Sequence, residues 1–225
     1  MSSIAPYDYV EWYYENDFRL RSNFPDVTAF VDSFVACVEG DRVLNAGCGP
    51  QFLDLLSRFG RAPSEYVGID IGRETIRFVE ESQDERVQVY REIARKMKVQ
   101  IEAVCDDIFT WPGLKANRFD CIIAIGFIGT FHGERLNALL AHLHRSLRKD
   151  GRLIKLTWHG PHRTPEQTAK KLEYGYDSLE EHDPKAFLQQ IEAAGFEVRQ
   201  HELMVCDPKA YRWDVVQGCV FDKHA

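Results

Sequence analysis

The middle of the chain alternates short apolar runs with helically spaced apolar stripes, and no other feature of the sequence restricts the fold as much. Runs at 42–46, 66–69, 101–105, 121–125 and 152–157 read as strands. Between them, Phe52, Leu55, Leu56 and Phe59 follow the first run, and Ile76 and Val79 follow the second. Leu136, Leu139, Leu140, Leu143 and Leu147 form a long stripe ahead of Lys149-Asp150-Gly151, which reads as a helix stop. Parallel neighbours need a crossover between them, and the helices that supply it cover both faces of the sheet. Near-continuous apolar strands separated by helices are therefore the signature of a mostly parallel sheet. A helix at 184–194, ended by Gly195, precedes two further β runs at 197–205 and 213–221. The short return at Asp207-Pro208-Lys209 predicts an antiparallel hairpin at the sheet edge. The expected fold is α/β: a seven-stranded, mostly parallel sheet with helices on both faces, a C-terminal antiparallel hairpin and an N-terminal helical arm.

At 225 residues the chain fills one domain with additions. No low-complexity tract or Pro/Ser-rich linker divides it, so an arm at 1–39 and a domain at 40–225 are expected to form a single unit. A net charge of −7 works against binding a phosphate polyanion, so no nucleic-acid partner is expected. The opening residues lack the basic and apolar regions of a secretory leader, and no run reaches the roughly 20 apolar residues of a membrane helix. Six scattered cysteines without a C-x-x-C pair read as free, mostly buried thiols, not a metal site. A cytoplasmic protein with no membrane partner is the expectation.

Chemistry concentrates at the ends of the strands. Leu44-Asn45-Ala46-Gly47-Cys48-Gly49-Pro50 closes the first strand with a glycine-rich turn, and a helix begins near Gln51. Such a turn aims backbone N–H groups and a helix N-terminus at an anionic group, although a tight turn in any α/β protein could be written the same way. A dinucleotide fingerprint would need a third glycine where Phe52 stands, and no G-K-[ST] follows to make a P-loop. The second strand ends at Asp70, whose carboxylate suits both ribose hydroxyls and equally suits a helix N-cap. After the third, Cys105-Asp106-Asp107-Ile108 offers a carboxylate to an exocyclic amine and a backbone N–H to a ring nitrogen, although an acidic loop is commonly only a solvated turn. These loops follow successive strands at the carboxyl edge, where open α/β sheets bind ligands.

On these residues the chain, from about 40 to 157, resembles the class I (Rossmann-like) S-adenosylmethionine-dependent methyltransferases. The resemblance implies that Asn45, Ala46, Gly47, Cys48 and Gly49 hold the methionine end of S-adenosylmethionine. It implies Asp70 with Ile71 for the ribose and Asp107 with Ile108 for the adenine. Phe119-Asp120-Cys121-Ile122-Ile123-Ala124-Ile125 is similar to the family's fourth strand, with Ile125 at the cofactor. Leu147-Arg148-Lys149-Asp150-Gly151-Arg152-Leu153 is similar to the run into the fifth. Two positions depart from the pattern. Asn45 replaces the usual acid and loses the charge-assisted part of its bond to an ammonium. Gln51 stands where a third glycine is common.

The acceptor side is sought in the insertions. Tyr7, Tyr9, Trp12, Tyr13 and Tyr14 give the arm the look of a lid, with Tyr14 at the cofactor; aromatic packing onto the domain is the competing reading. His132 and His159 are the candidate general bases, with His162 near the latter, whereas His142 and His144 within the long helix read as structural. Ile125-Gly126-Phe127-Ile128-Gly129 lacks the N/D-P-P-Y/F motif of nucleic-acid amino-methylating enzymes, and beyond the fourth strand no carboxylate precedes Glu134 to chelate magnesium. The expected activity is metal-independent methyl transfer to an oxygen or nitrogen of a small-molecule acceptor, with a homodimer left open. The competing readings are a non-catalytic partner protein of methyltransferase fold and a transferase using a related adenosyl-sulfonium donor.

Overall fold

The computed structural model describes residues 25–159, 182–206 and 215–224. Seven strands form one sheet in the order β3-β2-β1-β4-β5-β7-β6. They are β1 (Arg42–Ala46), β2 (Glu65–Asp70), β3 (Gln100–Cys105), β4 (Phe119–Ile125), β5 (Leu147–His159), β6 (Phe196–Val205) and β7 (Val215–Lys223). β7 runs antiparallel to both β5 and β6, and the other pairings are parallel. The order reverses between β1 and β4, which opens a crevice at their carboxyl ends.

Alternation along the strands sorts the core into two layers. On β4, Cys121, Ile123 and Ile125 face one side, and Ile122 and Ala124 the other. The first layer is covered by α1 (Pro25–Val35), α2 (Phe52–Leu56), α3 (Arg73–Glu81) and α4 (Glu85–Lys96). The second is covered by α5 (Gly133–Ser146) and α6 (Pro184–Ala193). The leucine stripe of α5 is fully buried there. α6 starts as its sequence dictates: the Asp183 side chain accepts from the Ala186 N–H at 2.8 Å, and Pro184 opens the first turn.

Several boundaries differ from the sequence reading. α5 ends at Ser146, ahead of Lys149-Asp150-Gly151, because Leu147 is already extended. Those three residues instead lie where β5 shifts register against β4, and Asp150 takes a positive φ of 62°. The polar stretch 85–96 forms a separate helix, α4, which packs Val87, Tyr90 and Ala94 against the first layer. The last β6–β7 pair is Val205 with Val215, so β6 ends where expected and the described part of β7 starts two residues after the expected run; 207–209 lie outside the described residues. Residues 1–24 of the expected arm also lie outside them. From Pro25 onward the arm is core: Val27, Val31, Phe34 and Val35 are buried, and the Phe34 ring fills the space a Cβ on Gly218 of β7 would enter at 2.3 Å.

Candidate functional site

The turn after β1 is held from two sides. Gly47 and Gly49 both have positive φ, at 63° and 57°. A Cβ on Gly47 would lie 2.2 Å from the Phe127 ring, whereas one on Gly49 would meet nothing within 4 Å. The backbone at Gly49 is therefore open, and that at Gly47 is clamped by the loop after β4. Ala46 and the Cys48 side chain are buried. Burial, and after it the negative charge of Asp70, keeps the Cys48 thiol well above its ordinary pKa and neutral. What Cys48 presents to a ligand is backbone.

The loop's N–H groups are not all aimed outward. Cys48 N–H donates to the Ile69 carbonyl at 3.0 Å and Gly49 N–H to Asp70 Oδ2 at 3.0 Å. Gly72 N–H donates to Asp70 Oδ1 at 2.8 Å. Buried N–H groups must be paired, and here the carboxylate pairs two of them while fixing the glycine turn to β2. Each oxygen retains lone-pair capacity for a hydroxyl. Burial raises the Asp70 carboxyl above its ordinary pKa, and the two N–H donors oppose that rise. Ile71 beside it is 69% exposed, a free apolar face at the strand end.

Asn45 is 1% exposed, and its amide donates to Tyr66 Oη at 3.0 Å. Tyr66 in turn donates to the Phe52 carbonyl at 3.1 Å and stacks on the Phe52 ring at 4.4 Å. The Asn45 nitrogen is thus engaged with β2, and its amide is held in place by Tyr66. Phe52 also lies 2.6 Å from where a Gly68 Cβ would stand. The aromatic in place of a dinucleotide-type glycine is accommodated by a glycine on β2.

The turn after β3 joins this frame. Asp106 N–H donates to the Asp70 carbonyl at 3.1 Å, and Asp107 N–H to Asp106 Oδ1 at 2.8 Å. Asp107 Oδ1 accepts from Phe109 N–H at 3.0 Å, and the Ile108 side chain is buried in the second layer. After β4, Gly126 takes a positive φ of 67° and its N–H donates to the Leu156 carbonyl at 2.8 Å. A 3-10 turn, Ile128–Thr130, leads to His132 at the N-cap of α5. Phe127 and Phe131 meet edge-on at 5.1 Å, and Phe131 meets Phe109 at 5.7 Å, so rings bridge the turns after β3 and β4.

The structure gives His132 a partner that sequence reading missed. Its ring stacks on His182 at 4.0 Å with 7° between planes, and His182 stacks on Phe187 of α6 at 4.2 Å. His182 Nε2 lies 2.9 Å from the Phe131 carbonyl, a bond in which the ring nitrogen donates. The backbone of His159 ends β5, paired with Val215; its side chain, His162 and Tyr14 lie outside the described residues. His144 Nε2 ties α5 to the Gly195 carbonyl at 3.1 Å, and His142 sits beside Phe109 and Arg145, which fits their structural reading. Among the described residues, no group of three or more His, Cys, Asp or Glu side chains could hold a metal ion. Nor is any described helix long and apolar enough to cross a membrane.

Residues 19–201 match the family model described as a methyltransferase domain. The chain belongs to that family, and its fold is that of the class I S-adenosylmethionine-dependent methyltransferases. Among solved structures, a chain of the complex between the Haloferax volcanii Trm112 methyltransferase activator and a methyltransferase superposes with a TM-score of 0.64 at 12% identity, covering 98% of each chain. Magnesium protoporphyrin IX methyltransferase from Synechocystis PCC 6803 with bound S-adenosylmethionine gives 0.57 at 15% identity, covering 91% of this chain and 81% of that one. The cyclase SpnF gives 0.58 at 16% identity, covering 87% and 80%. No curated protein matches the sequence.

Proposed function

We propose that this protein transfers a methyl group from S-adenosylmethionine to an oxygen or nitrogen of a small metabolite, without a metal. The observation that carries the reading is the Asp70 carboxylate, held at the end of β2 between the Gly49 and Gly72 N–H groups with exposed Ile71 beside it. That arrangement fits an adenosyl ribose: two acceptor oxygens at a fixed place, an apolar face for the base, and Asp107 with the Ile108 N–H to read its edge. Asn45 and the open backbone at Gly49 would receive the methionine end, next to Ala46, Gly47, Cys48 and Ile125. Tyr14 is the candidate to cover it.

When bound, S-adenosylmethionine supplies a methyl on a cationic sulfur that departs as a neutral thioether. The protein's part is alignment, exclusion of water and care of the acceptor's proton. Phe127, Phe131 and Phe109 make an apolar wall at the carboxyl edge of β4 and keep water from the reacting centre. His132, where that wall meets α5, accepts the proton of a hydroxyl as it is methylated, or removes one from an ammonium before the resulting amine attacks; His159 is the second candidate. The net charge of −7 and the absence of an N/D-P-P-Y/F motif after β4 favour a small acceptor over a nucleic acid. A cytoplasmic location belongs to the same reading, and a homodimer is compatible with it.

Calorimetry with S-adenosylmethionine and with its demethylated product tests the proposal. Both should bind, and Asp70→Ala should weaken binding by about 30- to 100-fold, the worth of a charge-assisted pair of hydrogen bonds. No binding of either at millimolar concentration would sink the reading.

A further inference from the structure

The Tyr66 hydroxyl lies inside the first layer, between the two ends of the segment that carries the glycine turn. Tyr66 is fully buried on β2 and pairs with Val43 of β1, so its side chain leans along the strands to reach the level of Asn45. Phe52 stacks on the ring, and Phe59 meets it edge-on at 5.1 Å. Among the described residues the hydroxyl has two hydrogen-bond partners. One is the Asn45 amide at 3.0 Å, near the end of β1, and the other is the Phe52 carbonyl at 3.1 Å, at the start of α2. Gly47 and Gly49 lie between these anchors, and the Phe52 N–H also donates to the Gly49 carbonyl at 3.4 Å.

We propose that Tyr66 is a positioning residue for the glycine turn, whose one hydroxyl ties both ends of the turn together and requires a hydrogen-bond donor at position 45. The inference rests on reading that turn as the seat of the methionine end of S-adenosylmethionine. A phenol carries a single proton. A carbonyl can only accept, so the proton goes to Phe52, and the group that reaches the phenol oxygen from position 45 has to donate. The amide nitrogen of Asn45 does so, and an ionised carboxylate there could not. Burial holds the Tyr66 hydroxyl well above its ordinary pKa, against the opposing effect of the Asn45 bond, so the proton that closes the turn stays on the phenol.

The order of donors makes the two neighbours of the hydroxyl unequal. With an apolar side chain at position 45 the phenol loses the donor behind it and still gives its proton to Phe52. With a carboxylate at position 45 the phenol turns its proton toward the charge, which is the stronger acceptor, and releases the Phe52 carbonyl. Tyr66→Phe keeps the ring and its stacking partners and removes both bonds at once. The turn is then held at Gly47 by the Phe127 ring and at Gly49 by Asp70, while its α2 end is no longer tied to β1. Because the bond from Gly49 to Asp70 is untouched, the ribose end of the site keeps its frame.

Two measurements on the full chain test this. The first needs no ligand: the carbonyl carbon resonance of Phe52, which moves when its hydrogen bond is lost. It should shift in Tyr66→Phe and in Asn45→Asp at pH 7.5, and stay near its native position in Asn45→Leu. The second is calorimetry with S-adenosylmethionine and with 5′-methylthioadenosine, which keeps the ribose and base but lacks the amino-acid carbons. Tyr66→Phe should weaken S-adenosylmethionine by about fivefold or more, the worth of one hydrogen bond, and change 5′-methylthioadenosine by less than twofold. A Tyr66→Phe variant that loses urea resistance but binds S-adenosylmethionine as the native chain does would overturn the positioning role, as would equal weakening of both compounds. A Phe52 resonance that ignores Asn45→Asp, or that shifts in Asn45→Leu as far as in Tyr66→Phe, would overturn the donor requirement; the two Asn45 variants decide this even if Tyr66→Phe does not fold. A native chain that binds neither compound would remove the methyltransferase reading and the positioning role with it, while the carbonyl resonance would still decide the hydrogen-bond order.

Discussion

Along the carboxyl edge of the sheet, the turns after β1, β2 and β3 are tied to one another by hydrogen bonds from main-chain N–H groups to Asp70 and its neighbours, whereas the turn after β4 and the residues before α6 meet through rings. On the first side, Gly49, Gly72 and Asp106 all converge on Asp70. On the second, Phe127, Phe131, His132, His182 and Phe187 touch face to face or edge to face. Hydrogen bonds of this kind tolerate little displacement, which suits a ligand whose form never varies. Ring packing is less directional and can be rebuilt with other residues, which suits the side that must match a particular acceptor. Phe127 belongs to both sides, because its ring lies against Gly47.

The largest expected effect comes from breaking that junction. Gly47→Val puts a β-branched side chain at a φ of 63° and drives it into the Phe127 ring. Left-handed backbone at a β-branched residue and overpacking each cost about 1–3 kcal/mol. Urea unfolding should show a loss of several kcal/mol, and calorimetry should show no S-adenosylmethionine binding in whatever remains folded. A variant of native stability and affinity would mean that the two sides are not joined at Gly47.

Replacing His132 should separate the sides cleanly. His132→Gln is expected to lower turnover by about a hundredfold or more, the usual contribution of a general base, while S-adenosylmethionine affinity changes less than threefold. Equal losses in both would move His132 from the acceptor side to the cofactor frame.

A smaller effect comes from Lys155 of β5, buried beside the Phe187 ring and bonded to Gln217. Lys155 is lowered by burial to about 7 from an unfolded value near 10.5, so between those values the unfolded chain holds more protons than the folded one. Stability contributed by this site therefore rises with pH across that window and is flat below about 7. The stability advantage of Lys155→Met over the native chain should be greatest at pH 6 and shrink by up to about 1.4 kcal/mol per pH unit between 7.5 and 9.5. A pH-independent difference in urea midpoints would show that Lys155 keeps its charge when buried.

The same contrast explains what could be read from the sequence. The strands, the glycine turn, Asp70 and the Asp107 turn stand out because each is local: an apolar run followed within a few residues by a turn residue or a carboxylate. The antiparallel hairpin was legible as two β runs, at 197–205 and 213–221, which the paired strands match closely. His182 carries no such mark. Its partner lies 50 positions earlier in the chain, and only the packing of α6 beside α5 brings the two rings together. The Phe52–Gly68 exchange was half visible: Phe52 excluded a dinucleotide turn, but its need for a glycine on β2 appears only with the chain folded. α4 carries a short stripe, Val87, Tyr90 and Ala94, set in an otherwise charged stretch.

Gly49→Ala sharpens the comparison from its quiet end. Gly47 and Gly49 share a positive φ, so a Cβ strains the backbone at both, by about 1–2 kcal/mol. They differ in surroundings: Phe127 occupies the space at Gly47, and nothing lies within 4 Å at Gly49. Gly49→Ala should therefore fold with only that backbone cost, and its N–H should still reach Asp70. If the open space at Gly49 is where the methionine end lies, the added methyl should nonetheless weaken S-adenosylmethionine several-fold in calorimetry. A destabilised protein that binds with native affinity would place the ligand elsewhere along the edge. The expected result, a small loss of stability beside a measurable loss of affinity, would mark Gly49 as a residue kept for the ligand and Gly47 as one kept for the fold.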